Sequence, residues 1–288
     1  MTQPAPSANV PAAGVEEAGL SLEVGAHQGA LRPWLWLQVE RLLLLFAFLL
    51  AWHLAVAFRW ADPAFISSPV AVGQALVRLF TEDGIQSHLA TTATEVAIAF
   101  VASVVLGMSG AVFLDRSERA RNLLSPYLAA FNSMPRIALG PIFILWFGIG
   151  MTSKVVLATS LGFFIILMST LGGLRTVDRD MLLMSRLYGA SDVQLFWHVR
   201  LPWALPSVFA GLKLTLIYCT SGAVIGEMIA ATSGLGLLLQ TYSGQFDIAS
   251  VMAVMVVLIG IVVVVTAVLE HLERRFLGWA RGITDVPG

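Results

Sequence analysis

From residue 250 to residue 269 the chain carries no charged side chain. A run of about 20 mostly apolar residues is the length that crosses a ~30 Å hydrocarbon core as a helix. Five more runs have comparable character, at 42–58, 91–114, 127–150, 154–174 and 207–231, so with 250–271 the sequence predicts six spans. In hydrocarbon every backbone N–H and C=O must find a partner within the structure, and continuous apolar runs of this length solve that as helices. The predicted fold class is therefore all-α, a polytopic membrane protein. Composition agrees: 57% of residues are hydrophobic and only 12% charged, against about a quarter charged in soluble domains.

The rest of the chain divides around these runs. Residues 1–30 mix Ala, Pro, Gly, Ser and Glu without period and read as a disordered cytosolic tail. Residues 31–90 hold the first span and its outer connection, 91–280 the main core, and 281–288 a short tail. No secretory signal is expected, because the first apolar run begins near Leu42 and no small-residue cleavage site follows it. The single cysteine, Cys219, excludes an intramolecular disulfide and a cysteine-rich metal site. In the connection, residues 69–80 read as an interfacial amphipathic helix with Val70, Val72, Leu76, Val77 and Phe80 as its apolar positions. Segment three is interrupted by Pro135, Arg136 and Pro141, so it is expected to be buried in the bundle rather than bathed in lipid.

Arg and Lys set the orientation. Twelve flank the spans on the side of the termini: Arg32, Arg41, Arg116, Arg119, Arg121, Arg175, Arg179, Arg186, Arg200, Arg274, Arg275 and Arg281. Three lie on the other side, Arg59, Arg78 and Lys154. The excess places both termini in the cytoplasm.

One cytoplasmic stretch is too polar to span and too apolar to be an ordinary loop. Ser191-Asp-Val-Gln194 has the form of a capping box. Pro202 pushes the residue before it out of helix, which predicts a helix over about 192–200, roughly 13 Å long at 1.5 Å per residue. Val193, Phe196 and Trp197 then share one face, Leu195 and Val199 another, and Pro206 falls in the first turn of the next span. Pattern alone leaves two readings open. The apolar face packs on the protein's own inner ends or the headgroups, or it docks in a groove on a cytosolic partner.

Gly189, nine residues, Val199, one residue and Leu201-Pro202 resemble the EAA loop of ATP-binding-cassette importer permeases. Arg186, Ala190, Ser191, Phe196 and Ala204-Leu-Pro206 are similar to it as well. The run Pro135…Ala138…Pro141…Trp146-Phe-Gly148…Gly150…Lys154 resembles the nitrate, sulfonate and taurine branch. So do Glu227…Ser233-Gly-Leu-Gly236 and Glu273-Arg274…Trp279, and the resemblance extends over roughly 65–280. It implies a type I importer-like fold with a coupling helix at about 190–201. The implied ATPase-coupling residues are Arg186, Gly189, Ala190, Ser191, Val193, Phe196, Trp197, Val199, Leu201 and Pro202. It also implies cytosolic ATPase subunits, a second permease subunit as a homodimer, a periplasmic solute-binding protein, surrounding lipid and no nucleic acid. The location implied is a bacterial inner membrane. The solute expected for this branch is a small anion such as a sulfonate, nitrate or organic carboxylate. One departure stands out: where the pattern has Glu-Ala-Ala this chain has Leu183-Met184-Ser185, with Asp178 and Asp180 just upstream.

A phosphate-cradling loop needs Gly-rich backbone followed by Lys-Ser or Lys-Thr. The two lysines, Lys154 and Lys213, are followed by Val155 and Leu214. No cofactor is expected on this chain, and ATP and Mg are expected on the partner ATPase.

Ionisable groups inside spans mark pathways by default. Arg136 is read either as snorkelling to headgroups or as a positive group at the inner mouth, and Glu227 as a solvated or ion-paired interface residue or a gate contact. Asn132, Ser133, Tyr218, Thr220 and Ser221 face a pathway or bond neighbouring helices. Glu95 and Lys213 are expected to snorkel, and Gly222 and Gly226 to serve packing. Two rival readings remain: an ATP-independent channel or secondary transporter, and, remotely, an intramembrane serine protease on Gly107-Met-Ser-Gly110.

Overall fold

A computed structural model describes residues 31–60 and 65–277. The two predicted tails, and the Trp279 end of the C-terminal motif, lie outside them. The chain separates into two compact units, divided at Pro69. The first contains α1 (Leu31–Ala57), apolar around its whole circumference as a lipid-facing helix is. It starts well before residue 42, where the apolar run begins.

The second unit starts with α2 (Pro69–Thr81), close to the predicted bounds. Its inward stripe is Val72, Ala75 and Leu79, while Val70, Val77 and Phe80 are exposed. Ala75 completes an i, i+3, i+7 line that the larger side chains mask in the sequence. Then follow α3 (Ile85–Arg116), α4 (Glu118–Ser133), a 3₁₀ turn (Arg136–Leu139), α5 (Gly140–Phe147) and α6 (Met151–Gly173). The chain continues through α7 (Arg179–Leu187), α8 (Asp192–Leu195), a π turn (Phe196–Arg200), α9 (Leu201–Ile229), α10 (Leu235–Gly244) and α11 (Ile248–Phe276). Every regular element among the described residues is helical. Among the described residues five helices are long and apolar enough to cross a membrane, and α4 with the 3₁₀–α5 pair makes a sixth if that bent segment counts as one span.

The core is a three-helix stack in which α6 packs along both α3 and α9, and those two also meet. Lipid gives helices no hydrophobic reason to associate, so close approach over small residues does the work. A Cβ at Gly162 would sit 2.6 Å from both Cys219 Sγ and Ser103 Oγ, and one at Gly222 would sit 2.7 Å from Ala158 Cα. Around these contacts Val96, Ala99, Ala158, Leu216, Cys219 and Ala223 form one buried cluster, and Ile166, Leu174, Phe196, Ala204 and Val208 another.

Segment three departs from expectation. It is not a buried span over 127–150 but a pair bent by 83°. Met134, held extended before Pro135 at φ −70° and ψ 135°, ends α4. α4 buries no residue and α5 only Gly140, so the broken segment lies on the outside of this chain. The break satisfies itself locally, with the Ala138 N–H on Pro135 O at 2.9 Å.

The helix predicted to stop before Pro202 does not stop. Leu201 is helical at φ −65° and ψ −47°, and its N–H reaches back to Phe196 O. That i→i+5 turn widens the helix at the point where the proline ring would otherwise meet the carbonyl four residues back. The rod thus runs unbroken over Asp192–Ile229, 38 residues, with Pro206 inside it rather than in a first turn.

Candidate functional site

Three groups of polar side chains stand out, one near each end of the three-helix stack and one near its middle.

At the end where α6 begins and α9 finishes, Glu95, Lys154 and Glu227 meet from α3, α6 and α9. Both glutamates are 0% exposed and Lys154 is 5% exposed. Lys154 Nζ lies 2.5 Å from Glu95 Oε1. Glu227 Oε1 accepts the Thr92 hydroxyl and Oε2 accepts the Gly236 N–H, each at 2.7 Å. The Leu235 N–H donates to Thr92 Oγ1 at 2.8 Å, and the Gly234 N–H to His88 Nδ1 at 3.1 Å. Three consecutive amides at the start of α10 are therefore capped by side chains from two other helices, where a helix ordinarily uses its own N-cap residue. Gly234 stands at φ +124°, and a Cβ there would fall on the Glu227 carboxylate. A Cβ at Gly236 would meet Val224 O and, at 2.7 Å, Glu227 Cβ. These glycines let backbone close directly over a buried acid.

This corrects the sequence reading at several residues. Glu95 does not snorkel; it has no exposed surface and pairs with Lys154, which the charge count places on the outer side of the spans. Glu227 is not a solvated interface group. Lys213, by contrast, is consistent with its expected place at a span end: it stays partly exposed and pairs with α11, Nζ 2.6 Å from Glu273 Oε2. Opposite charges buried on two spans belong together because neither can be left bare in lipid. The sequence placed each near a span end, where water would have sufficed.

Nearer the middle, Arg136 is held in place rather than snorkelling. Its Nη1 donates to Ser160 O and Leu161 O at 3.2 Å, and its Nη2 to Asn132 O at 3.2 Å and Asn132 Oδ1 at 2.6 Å. Those acceptors on α6 are about halfway along its 23 residues. The guanidinium lies over the Phe164 ring at 4.5 Å, a cation–π geometry. The Tyr218 phenol is within electrostatic range of it. Among the described residues Arg136 makes no ion pair. Asn132, Ser133, Tyr218 and Ser221 are exposed, with Ser133 and Ser221 donating to carbonyls four residues back on their own helices. Thr220 is buried and bonds Leu216 O.

At the opposite end of the stack the capping box is present: Ser191 Oγ accepts from the Gln194 N–H at 3.3 Å and Gln194 Oε1 from the Ser191 N–H at 2.9 Å. The expected apolar face is divided. Phe196 turns inward onto the core, as does Leu195, while Val193 and Trp197 stay exposed. Arg116 lies over the Phe196 ring at 5.3 Å, and Arg200 pairs with Asp115 at 2.8 Å, which fixes the π turn to the end of α3. Val199, Leu201 and Pro202 are half-buried. The sequence reading missed α7, capped by Asp178, whose carboxylate accepts the Asp180 N–H at 3.0 Å. Leu183, Met184, Leu187 and Tyr188 project from α7 and the turn after it, the last two 84% and 88% exposed. Gly189, at φ +83°, reverses the chain there, Ala190 links it to the cap, and Arg186 reaches across to Asp192 at 3.3 Å. The exposed apolar surface is thus built by two helices and a tight turn, not by one face of 192–200.

Ser109 Oγ donates to Val105 O at 2.6 Å and Leu106 O at 3.1 Å, carbonyls of its own helix, and its side chain is exposed.

Comparison with known proteins bears on these arrangements. The family model described as "Binding-protein-dependent transport system inner membrane component" matches residues 103–278. The chain is 30% identical over 237 residues to the taurine transport system permease protein of Escherichia coli K12, covering 80% of this chain and 86% of that one. It is 32% identical over 230 residues to a putative aliphatic sulfonates transport permease protein of the same organism, covering 79% and 87%. A formylaminopyrimidine transport permease protein of Halalkalibacterium halodurans is 31% identical over 76% of this chain and 88% of its own. In fold, the chain is similar to the MetNI methionine ABC transporter in an inward-facing form, with a TM-score of 0.59 at 21% identity over 68% of this chain and 99% of that one.

Proposed function

The chain belongs to the family of binding-protein-dependent transport system inner membrane components, and from that premise we propose how this permease subunit takes up force and what it carries. It is a multi-span inner-membrane protein of an ATP-driven importer, a transport subunit rather than an enzyme, that works with ATPase and binding-protein partners.

The proposed docking surface for the ATPase is the apolar rim formed by Leu183, Met184, Leu187, Tyr188, Val193 and Trp197. The observation that carries this is their exposure on a short helix pair whose second helix runs directly into a membrane span. Burying a large apolar side chain is worth about 1.5–3 kcal/mol, so several together suffice to hold a partner through a power stroke. Leu183 and Met184 stand where the branch pattern has acidic and small residues, and an apolar contact substitutes there for a charged one. The partner's closure pushes the α7–α8 turn, the π turn passes the push to α9, and α9 ends on the Glu227 latch. The central pathway thereby opens alternately to each side.

The solute proposed is a small anion, a sulfonate, nitrate or carboxylate. Arg136 supports this: it is a cation at mid-depth without a carboxylate partner among the described residues, and such groups in membranes sit on solute routes. Relatives named for taurine and aliphatic sulfonates have substrates of that kind. The exposed apolar faces of α4 and α5, with Leu123, Tyr127, Phe131 and Trp146, fit a second copy of this chain across the pathway, with lipid covering the remainder. Both termini lie in the cytoplasm, by the distribution of arginines. The chain binds no nucleotide of its own, and ATP and Mg belong to the ATPase.

The test replaces Leu187 and Trp197 together with Asp. Loss of both ATPase co-purification and ATP-driven uptake, in protein that still inserts in the membrane, is expected. Retention of both overturns the docking surface.

A further inference from the structure

A cavity of about 250 Å³ opens beside the buried charge cluster, lined by Thr91, Lys154, Thr232 and Ser233 together with the backbone that starts α6 at Gly150 and Met151. Under the proposed orientation it is the outer mouth of the transporter. Lys154 is the only ionisable residue in its lining. The carboxylates that balance Lys154 lie behind it: Glu95 has no exposed surface, and Glu227 has both oxygens committed to Thr92 and Gly236. An ammonium carries three N–H donors, and Glu95 is its one carboxylate partner among the described residues. The stem of Lys154 is held against Gly226, where an added Cβ would come within 3.1 Å of Lys154 Cγ. The lysine is thus fixed in position, unlike a mobile surface cation.

The remaining polar groups around the cavity also donate. The Thr91 hydroxyl donates to Ser87 O at 3.0 Å and accepts from Ser233 at 3.3 Å, while Thr232, exposed beside them, makes no hydrogen bond among the described residues. α6 starts from Gly150 with no side-chain cap, which leaves its first amides without an intrahelical acceptor. Ile149, Met151, Ala230 and Ala231 complete the wall with apolar surface, so Lys154 is the one charge a guest meets, and it favours an anionic head. At about 250 Å³ the cavity admits a small oxyanion with a short tail.

We propose that this cavity is an outer anion subsite of the importer, in which Lys154 and the Thr232 hydroxyl receive the sulfonate or carboxylate head of a small solute before it enters the bundle. The proposal rests on the import reading above and deepens it. Ser233 belongs to the same loop as Gly234, whose amide is held by His88, so the latch at Glu227 also fixes one wall of the subsite.

The test introduces Thr232→Cys into the intact transporter with its ATPase and binding protein. The native thiol, Cys219, is fully buried and gives little background. The introduced thiol is modified with an anionic methanethiosulfonate (sulfonatoethyl) and with its trimethylammonium counterpart, each rate normalised to a free thiol in solution. The anionic reagent is expected to react faster by on the order of tenfold, the scale on which a charged cleft concentrates counter-ions. Ethanesulfonate at millimolar concentration should slow the reaction, and uncharged ethanesulfonamide should not. Equal normalised rates, or no protection by ethanesulfonate, overturn the subsite. The paired variant Glu95→Gln with Lys154→Gln, which leaves no bare buried charge, should abolish the anionic preference, and its persistence also overturns the proposal. Should that variant not assemble, protection of the parent decides alone. Labelling requires no ATP, so absent uptake with an intact labelling pattern counts against the import reading and not against the subsite.

Discussion

Glu95 and Lys154 show what burial in lipid does to a charged pair. Removing one partner strands the other, which costs about 3–5 kcal/mol, whereas replacing both with neutral groups of similar shape costs far less. Glu95→Ala or Lys154→Met should therefore lower the thermal unfolding temperature of the detergent-solubilised protein sharply. Glu95→Gln with Lys154→Gln should recover most of the loss, and a double variant as unstable as the singles would refute the pairing. Gly162 tests packing at the same scale. With a Cβ forced within 2.6 Å of Cys219 and Ser103, Gly162→Ala should cost about 1–3 kcal/mol by overpacking, read from the same melting curve. Ser109→Ala is the contrasting case. Its hydroxyl bonds only its own helix, so uptake should be unchanged, and abolished uptake would reopen the nucleophile reading of Gly107-Met-Ser-Gly110.

The helices divide into those legible from pattern and those that were not. The long apolar runs gave α3, α6, α9 and α11 because length and polarity suffice for a spanning helix. The capping box at Ser191 was legible because two side chains of the right type stand three apart. The π turn was not, since nothing in Phe-Trp-His-Val-Arg distinguishes an i→i+5 bond from an α turn, and Pro202 reads as a stop when its ring is in fact accommodated. Phe196 faces the core together with Leu195, so the spacing that groups it with Val193 and Trp197 assigned it to the wrong side. α7 was missed because its nine residues are too few to register as a span and Arg179, Asp180 and Arg186 interrupt its apolar residues. The distinction is measurable. Phe196→Ala should destabilise the protein by about 3–5 kcal/mol and reduce ATPase binding only as stability falls. Val193→Asp with Trp197→Asp should leave the melting temperature nearly unchanged while weakening ATPase co-purification. Equal melting losses in the two variants would assign both faces to the interior.

At the scale of the whole molecule, the family and its division of labour were carried by the Gly189–Pro202 spacing, and the match over residues 103–278 agrees with it. The charge cluster at the other end was not legible as a unit, because its parts come from α3, α6, α9 and the start of α10, and only the fold brings residues so far apart in sequence within 3 Å. The assembled importer should hydrolyse ATP in a manner that binding protein and solute stimulate, and the isolated permease should bind no nucleotide in an equilibrium measurement. The rod over Asp192–Ile229 spans roughly 57 Å at 1.5 Å per residue and carries the capped turn at one extremity and Glu227 at the other. Such a shaft delivers torsion as well as thrust. At a side-chain radius of about 5 Å, a twist of some 20° sweeps the Glu227 carboxylate through nearly 2 Å. A hydrogen bond that starts at 2.7 Å does not survive that excursion, so a modest rotation imposed in the cytosol is enough to unfasten the far side of the membrane.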